Sequence, residues 1–144
     1  MEAFFFAFRW NHRLCFNHQL IEDHIDDTKL DPGTKDILNK QNKLGGGDIA
    51  KMIGRFSPAG SIFNINMSTG QVTTPNDLAQ TTKVYGSSTD IIIVFSEDYI
   101  SGKGKSSRPT DLSVATTMAH EVIHAYIISL LEENKSCGAS GICD

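Results

Sequence analysis

The sequence predicts an α+β fold: N-terminal helices, then a small, mostly antiparallel sheet, then a long C-terminal helix packed on that sheet. The helix is indicated by apolar residues that recur at helical spacing from Leu112 to Leu131, with no Gly or Pro between them. The sheet is indicated by alternating apolar and polar residues over Ile62–Met67 and by the apolar run Ile91–Phe95. The predicted helices and strands are thus segregated along the chain, which is typical of an α+β protein.

Length and composition are those of one globular domain over residues 1–144, with 1–30 as a poorly defined N-terminal segment. Hydrophobic residues make up 40 % and charged residues 21 % of the chain, as is ordinary for a soluble domain. The net charge of −4 disfavours a nucleic-acid partner, because nucleic-acid binders are usually basic. No apolar run approaches the roughly eighteen residues that cross a bilayer, so no membrane span is predicted.

The first ten residues are rich in phenylalanine but do not form a conforming export signal. Met1–Trp10 lacks a basic start and a small-residue cleavage site. We interpret this segment as a short aromatic anchor that packs on the domain, or as an artefact of the assigned start of a longer gene. The cytoplasm is then the default location.

Two short helices are predicted before the sheet. The first covers Thr34–Lys43 and ends at Gly45-Gly46-Gly47. Asp48 is expected to cap the second, which covers Ile49–Phe56. The three glycines are not followed by the Gly-Lys-Ser/Thr of a phosphate loop, so we interpret them as a break between helices.

The strands follow. Ile62–Met67 predicts a half-buried strand, Ser68-Thr69-Gly70 a turn, and Gln71–Thr74 the hairpin partner of that strand. Lys83-Val84-Tyr85 predicts another short strand. Ile91–Phe95 is the strongest strand pattern, and five consecutive apolar β-formers indicate burial on both faces.

The long helix follows a basic loop, Ser101–Arg108, which is expected to be flexible. Thr110 is placed to cap the helix, and Asp111 lies near the positive end of its dipole. From Leu112 the pattern predicts about twenty largely buried helical residues ending near Glu133-Asn134.

This helix contains the run His120-Glu121-Val122-Ile123-His124, an HExxH motif. Four positions on an α-helix amount to little more than one turn, so the two imidazoles share a face and both reach one metal ion. Glu121 is then close enough to polarise a metal-bound water without being a ligand.

The segment Thr117–Tyr126 resembles the active-site helix of zincin metallopeptidases, in a form similar to SprT-like domains and to metallopeptidase domains at the ends of large bacterial proteins. The resemblance is specific over residues 110–131. It implies that His120 and His124 are Zn²⁺ ligands and that Glu121 is the general base that takes a proton from zinc-bound water. The chemistry agrees, since zinc lowers the pKa of bound water towards about 7.

The resemblance also implies the fold of the N-terminal half of a zincin and a peptide or protein substrate. In zincins one edge strand near the helix lines the cleft and holds an extended substrate by backbone pairing. Ile62–Met67 is the expected counterpart here.

A third zinc ligand is missing from the motif, although a catalytic zinc normally has three protein ligands. Ile127 and Leu130 replace the Gly and His of the metzincin extension, which excludes that subclass. Glu132 and Glu133 lie about 12 Å or more along the same helix. The remaining ligands are a residue beyond the chain end or one of Cys137, Cys143 and Asp144. We expect that the chain stops before the third ligand, as a truncated product or a fragment of a longer parent.

Two function classes therefore follow from the sequence. One is a zinc-dependent peptidase or related hydrolase. The other is a catalytically incomplete zincin-like remnant or binding module that lacks the third ligand. The odd number of cysteines does not form a disulfide framework, and the six-residue spacing of His12, His18 and His24 does not build a second metal site on a helix.

Overall fold

The computed structural model describes residues 24–43, 47–56 and 61–136. In chain order the elements are β1 (Ile25–Lys29), α1 (Pro32–Lys43), α2 (Asp48–Gly54), β2 (Asn64–Gly70), β3 (Ala79–Lys83), β4 (Asp90–Ser96), α3 (Glu97–Ser101) and α4 (Asp111–Ser136). The α+β class is confirmed, with a small four-stranded sheet and a long C-terminal helix. The interpretations of residues 1–23 and of Gly45 and Gly46 lie outside the described residues.

The sheet is mixed, with strand order β1-β2-β4-β3. β2 pairs in parallel with both β1 and β4, and only β3 runs antiparallel, against β4. The prediction of a mostly antiparallel sheet is therefore wrong. Parallel neighbours need a crossover connection, and α1 and α2 provide one between β1 and β2.

The chain around β2 differs from the predicted hairpin. The strand continues through Ser68, Thr69 and Gly70, which pair with Val94, Phe95 and Ser96 of β4. Residues 71–74 form no strand; instead the Thr73 backbone N–H donates to the side-chain oxygen of Gln80 over 3.1 Å. The predicted turn residues stay extended because β4 supplies a parallel partner along their whole length, and pairing distant in sequence is invisible to a local pattern.

The strand expected at Lys83–Tyr85 lies earlier, at Ala79–Lys83. Val84 already belongs to the connection to β4, where its N–H donates to the carbonyl of Asp90 over 3.0 Å. Gly86 has a φ of +82° in this turn, a conformation that a residue with a side chain adopts only with strain. The turn thus ends β3 before the apolar residue that suggested the strand.

One face of the sheet carries the core. Side chains that share this face come from β2 and β4, and four residues of α4 pack against the same cluster: Ile65, Met67, Ile91, Ile93, Phe95, Val114, Met118, Val122 and Ala125. On the opposite face, Ile92 and Val94 are only half-buried. The expected burial of β4 on both faces is complete only on the face towards α4.

The first short helix begins earlier than predicted and ends at Lys43 as predicted, whereas the second differs at both ends. α1 begins at Pro32 because the Asp31 carboxylate accepts the N–H groups of Gly33 and Thr34, at 3.0 and 3.2 Å. α2 begins with Asp48 as its first helical residue rather than as its cap, and it ends at Gly54 rather than at Phe56.

α4 is the longest element, and its predicted start is confirmed. The Thr110 hydroxyl accepts the N–H of Ser113 at 3.2 Å, as an N-cap does. Only one side of α4 is buried; Ile127 is 45 % and Leu131 55 % exposed, so the expectation of a largely buried helix holds for that side alone. Asp111–Lys135 is long and apolar enough to cross a membrane by length and composition, a property that core helices of soluble proteins share.

The loop before α4 folds back closely upon itself. α3 precedes it, and Gly102 ends α3 with a φ of +72°; a Cβ at this position would lie 2.9 Å from the Cα of Arg108. The Tyr99 hydroxyl lies 2.8 Å from the hydroxyl of Ser113. The loop therefore returns closely upon itself, and α3 is tied to the first turn of the motif helix.

Candidate metal centre

The two histidines of the motif converge on the exposed side of α4. The Nε2 atoms of His120 and His124 are 2.9 Å apart, and the ring centroids are 4.5 Å apart with the ring planes inclined at 71°. The four-residue spacing places one ring above the other, as the sequence predicts. Both side chains are exposed.

This arrangement provides two donors of the kind that zinc prefers. Zinc binds imidazole nitrogen at about 2.0–2.1 Å, so two nitrogens at tetrahedral corners are about 3.3 Å apart. The observed 2.9 Å is close to this value, and a small rotation of either ring makes up the difference. When one ring donates an Nε2 proton to the other, they form a hydrogen bond; both act as ligands only when neither Nε2 carries a proton.

The Glu121 side chain is directed towards the sheet. Its side chain is 6 % exposed. The Thr81 hydroxyl of β3 lies 2.6 Å from Glu121 Oε2 and 3.2 Å from the Glu121 backbone carbonyl. Glu121 is thus buried beside the two candidate ligands without joining them, in contact with a strand that the sequence analysis did not connect to the site.

The edge strand beside the motif helix is β3. Ile62–Met67, the expected substrate strand, overlaps β2, which lies between β1 and β4 and offers no free edge. That expectation is wrong because the parallel pairing of β2 on both sides could not be read from its own alternation. Among the described residues β3 pairs only with β4, and it lies against α4.

The hydrogen-bonding pattern of β3 shows which of its backbone groups face the free edge. The N–H of Ser96 donates to Leu78 O, and the N–H of Val84 donates to Asp90 O, both over 3.0 Å. Residues of an antiparallel pair alternate between bonding to the partner strand and pointing away from it. Ala79, Thr81 and Lys83 therefore direct their backbone N–H and C=O groups away from β4.

No third ligand joins the histidine pair within the part of the chain that is described, where no group of three His, Cys, Asp or Glu side chains is placed to hold a metal ion. Glu132 forms ion pairs with Lys83 and Lys135, each at 2.7 Å. Hydrogen bonds from Lys135 and Lys83 lower the pKa of Glu132. Glu133 pairs with Arg55 of the chain after α2. Cys137, Cys143 and Asp144 lie outside the described residues.

Contacts with Arg55, the residue that follows α2, hold the second half of α4 in place. Arg55 Nε donates to Ser129 Oγ over 2.9 Å, and its guanidinium lies 5.4 Å from the centre of the Tyr126 ring. Together with the Glu133 ion pair, these contacts fix the second half of α4 relative to the chain that follows α2.

Sequence reasoning missed two features of the structure. Thr81 is one, because an isolated threonine in a polar strand carries no signal of its partner. The alternation of residues 79–83 would have placed Thr81 on the helix side if the strand had been recognised.

The second missed feature is an open cavity of about 680 Å³ at the carboxyl ends of β2 and β4, lined in part by Gly70, Leu78, Ser96, Tyr99 and Lys105.

The chain matches no protein-family model, and comparison with curated proteins and with solved structures gives no significant match.

Proposed function

We propose that this chain carries the catalytic helix of a zinc-dependent metallopeptidase, which cleaves a peptide bond with a zinc-activated water. The observation that carries the proposal is the convergence of the His120 and His124 Nε2 atoms at 2.9 Å, with Glu121 between them in sequence and buried alongside. Two imidazole nitrogens at this distance fit two corners of a zinc coordination sphere.

The residues take separate roles. His120 and His124 would hold the ion through unprotonated Nε2 atoms, and a bound zinc would supply Lewis acidity to the attacking water and to the scissile carbonyl. Glu121 would accept a proton from the attacking water and later deliver it to the leaving amine. Its position next to the ligands on α4, without joining them, suits a base rather than a ligand.

An extended peptide is the substrate class that the free edge of β3 favours. Ala79, Thr81 and Lys83 present backbone donors and acceptors there, and a peptide adding as a further strand gains main-chain hydrogen bonds from them. This edge lies against the motif helix, next to Glu121, so a paired peptide would pass close to the base.

The length of chain after α4 favours Cys143 and Asp144 over Cys137 as the proposed third ligand. α4 continues to Ser136, about 18 Å beyond His124. Cys137 follows at once and is too far from the pair while the helix is intact. Seven or eight extended residues span about 25 Å, so Cys143 and Asp144 are within reach of the histidines, as is a residue of a longer parent chain.

The second candidate function is the catalytically incomplete remnant or binding module. The observation that favours it is that the described residues supply two ligands and no third. The two functions differ in whether the chain holds stoichiometric zinc and hydrolyses a peptide bond.

Zinc content and hydrolysis of the purified chain test the proposal. The wild type is expected to hold about one zinc ion per chain. His124→Ala should lose the zinc, whereas Glu121→Gln should keep it and lose hydrolysis of fluorescein-labelled casein. His24→Ala is the matched control, since His24 contacts Asn64 on the sheet rather than α4, and it should change neither property. A wild type without stoichiometric zinc would overturn the peptidase assignment for this chain.

A further inference from the structure

We infer that Thr81 is a positioning residue for the general base, a role that rests on the proposed function. Its hydroxyl holds one carboxylate oxygen of Glu121 and thereby fixes the direction of the other. The Thr81–Glu121 hydrogen bond connects β3, the proposed substrate-binding strand, to Glu121, the proposed general base.

The contact between Thr81 and Glu121 is short and charge-assisted. The hydroxyl Oγ1 lies 2.6 Å from Glu121 Oε2, within the range of strong O–H···O⁻ hydrogen bonds. A second approach, 3.2 Å to the backbone carbonyl of Glu121, locates the same hydroxyl over this turn of α4. Thr81 therefore fixes both the side chain of Glu121 and the distance of β3 from the helix.

The two oxygens of the Glu121 carboxylate are in different situations. Among the described residues, Thr81 is the only side chain that hydrogen-bonds this carboxylate, and it does so at Oε2. Oε1 accepts no hydrogen bond from the described residues. Because Thr81 holds Oε2, the direction in which Oε1 points is fixed relative to α4 and β3.

Thr81 also faces the free edge with its own backbone. Its side chain points to α4, while its N–H and C=O point away from β4, towards the place where an added strand would pair. A peptide bound at that edge would hydrogen-bond the same residue that holds the base. The register of the substrate is thereby set relative to Glu121.

Kinetics of matched valine and serine variants test this role. Thr81→Val keeps the shape of the side chain but removes the hydroxyl, Thr81→Ser keeps the hydroxyl, and Thr82→Val makes the same change on the exposed, opposite side of β3. With fluorescein-labelled casein, we expect Thr81→Val to keep zinc and KM but to lose about 10- to 100-fold in kcat, as small misplacements of catalytic groups do. Thr81→Ser should recover most of that loss, and Thr82→Val should match the wild type.

A readout without metal or substrate accompanies the kinetics. In the zinc-free chain, Thr81→Val should lower the urea midpoint of unfolding, and it should lower it less when Glu121→Ala is already present, because the lost hydrogen bond is then absent from both members of the pair. This double-mutant cycle reports the contact whether or not the chain is an enzyme.

The outcomes separate the two claims. Additive midpoint shifts would show that Thr81 and Glu121 do not interact, which overturns this inference even in an active enzyme. Coupled shifts with kcat equal in Thr81→Val and Thr82→Val would also overturn it, since the contact would then be structural only. Coupled shifts in a wild type without zinc-dependent hydrolysis would overturn the proposed function and, with it, the catalytic role of Thr81. Coupling, a selective loss of kcat and rescue by serine together support the inference.

Discussion

The Nε2 atoms of His120 and His124 face each other across 2.9 Å on the exposed side of α4. The same two nitrogens that hydrogen-bond each other are the proposed ligands, so a zinc ion would compete with the shared proton for them. This competition would make the proposed zinc binding dependent on pH, because metal affinity falls when a ligand must first lose a proton.

We expect zinc to stabilise the wild-type chain against thermal unfolding at neutral pH and to stabilise it progressively less as the pH is lowered. Ligand at about 100 times its Kd stabilises the folded state by about 2.7 kcal/mol, which is readily measured as a shift in Tm. Differential scanning fluorimetry with and without zinc, from pH 5 to 8, checks this. His120→Ala should remove the shift at every pH; a shift of the same size in that variant would show that the zinc binds elsewhere.

Packing of α4 predicts opposite results for two apolar residues of the helix. Met118 is fully buried in the core, whereas Ile127 is 45 % exposed. Met118→Ala should lower the free energy of unfolding by about 2–5 kcal/mol, because it removes buried atoms and leaves a cavity. Ile127→Ala should cost less than about 1 kcal/mol. Urea unfolding measures both, and a large loss in Ile127→Ala would mean that another part of the protein covers this face.

Glu132 should contribute to stability in a pH-dependent way. Hydrogen bonds from Lys135 and Lys83 lower its pKa below the ordinary value of 4.5 in the folded chain. A carboxyl whose pKa is lower when folded stabilises the protein above its unfolded pKa, and this contribution disappears as the pH falls through the folded pKa. The Tm of Glu132→Gln should therefore lie below that of the wild type at pH 7, and the gap should narrow as the pH falls below 4.5 through the lowered pKa of the folded chain. A gap that is unchanged in acid would rule out the ion pairs as its cause.

The free edge of β3 predicts an alternating response to substrate methylation. Ala79, Thr81 and Lys83 offer backbone groups at every second residue, so a paired peptide uses its own amides at every second position. N-methylation of a substrate peptide at the alternate amides that pair with β3 should raise KM. N-methylation at the amides between them should be tolerated. Equal effects at neighbouring positions would argue against strand pairing.

Local patterns were sufficient for the motif helix and insufficient for the sheet. The course of α4, its cap at Thr110 and the shared face of His120 and His124 depend on residues within a few positions of one another, and all three could be predicted. The parallel pairing of β2 with β4 joins residues about 26 positions apart, and no alternation within either strand reveals it.

β3 shows most clearly why part of the site escaped prediction. The strand reads Ala-Gln-Thr-Thr-Lys, and two of the three residues that face α4 are polar. Thr81 and Lys83 face the helix because Glu121 and Glu132 receive their hydrogen bonds. A polar residue on the inner face of a strand looks like an outer-face residue unless its partner is known. The sequence pattern therefore predicts the strand at Lys83–Tyr85 instead of Ala79–Lys83.

The most direct test of the central claim is nitrogen-15 NMR of the histidine side chains during zinc titration. If His120 and His124 bind one ion through Nε2, both Nε2 resonances should move together to metal-bound positions at one equivalent of zinc, while both Nδ1 atoms carry protons. In Glu121→Gln the same two resonances should still move. Movement of only one histidine, coordination through Nδ1, or no change at one equivalent would contradict the account.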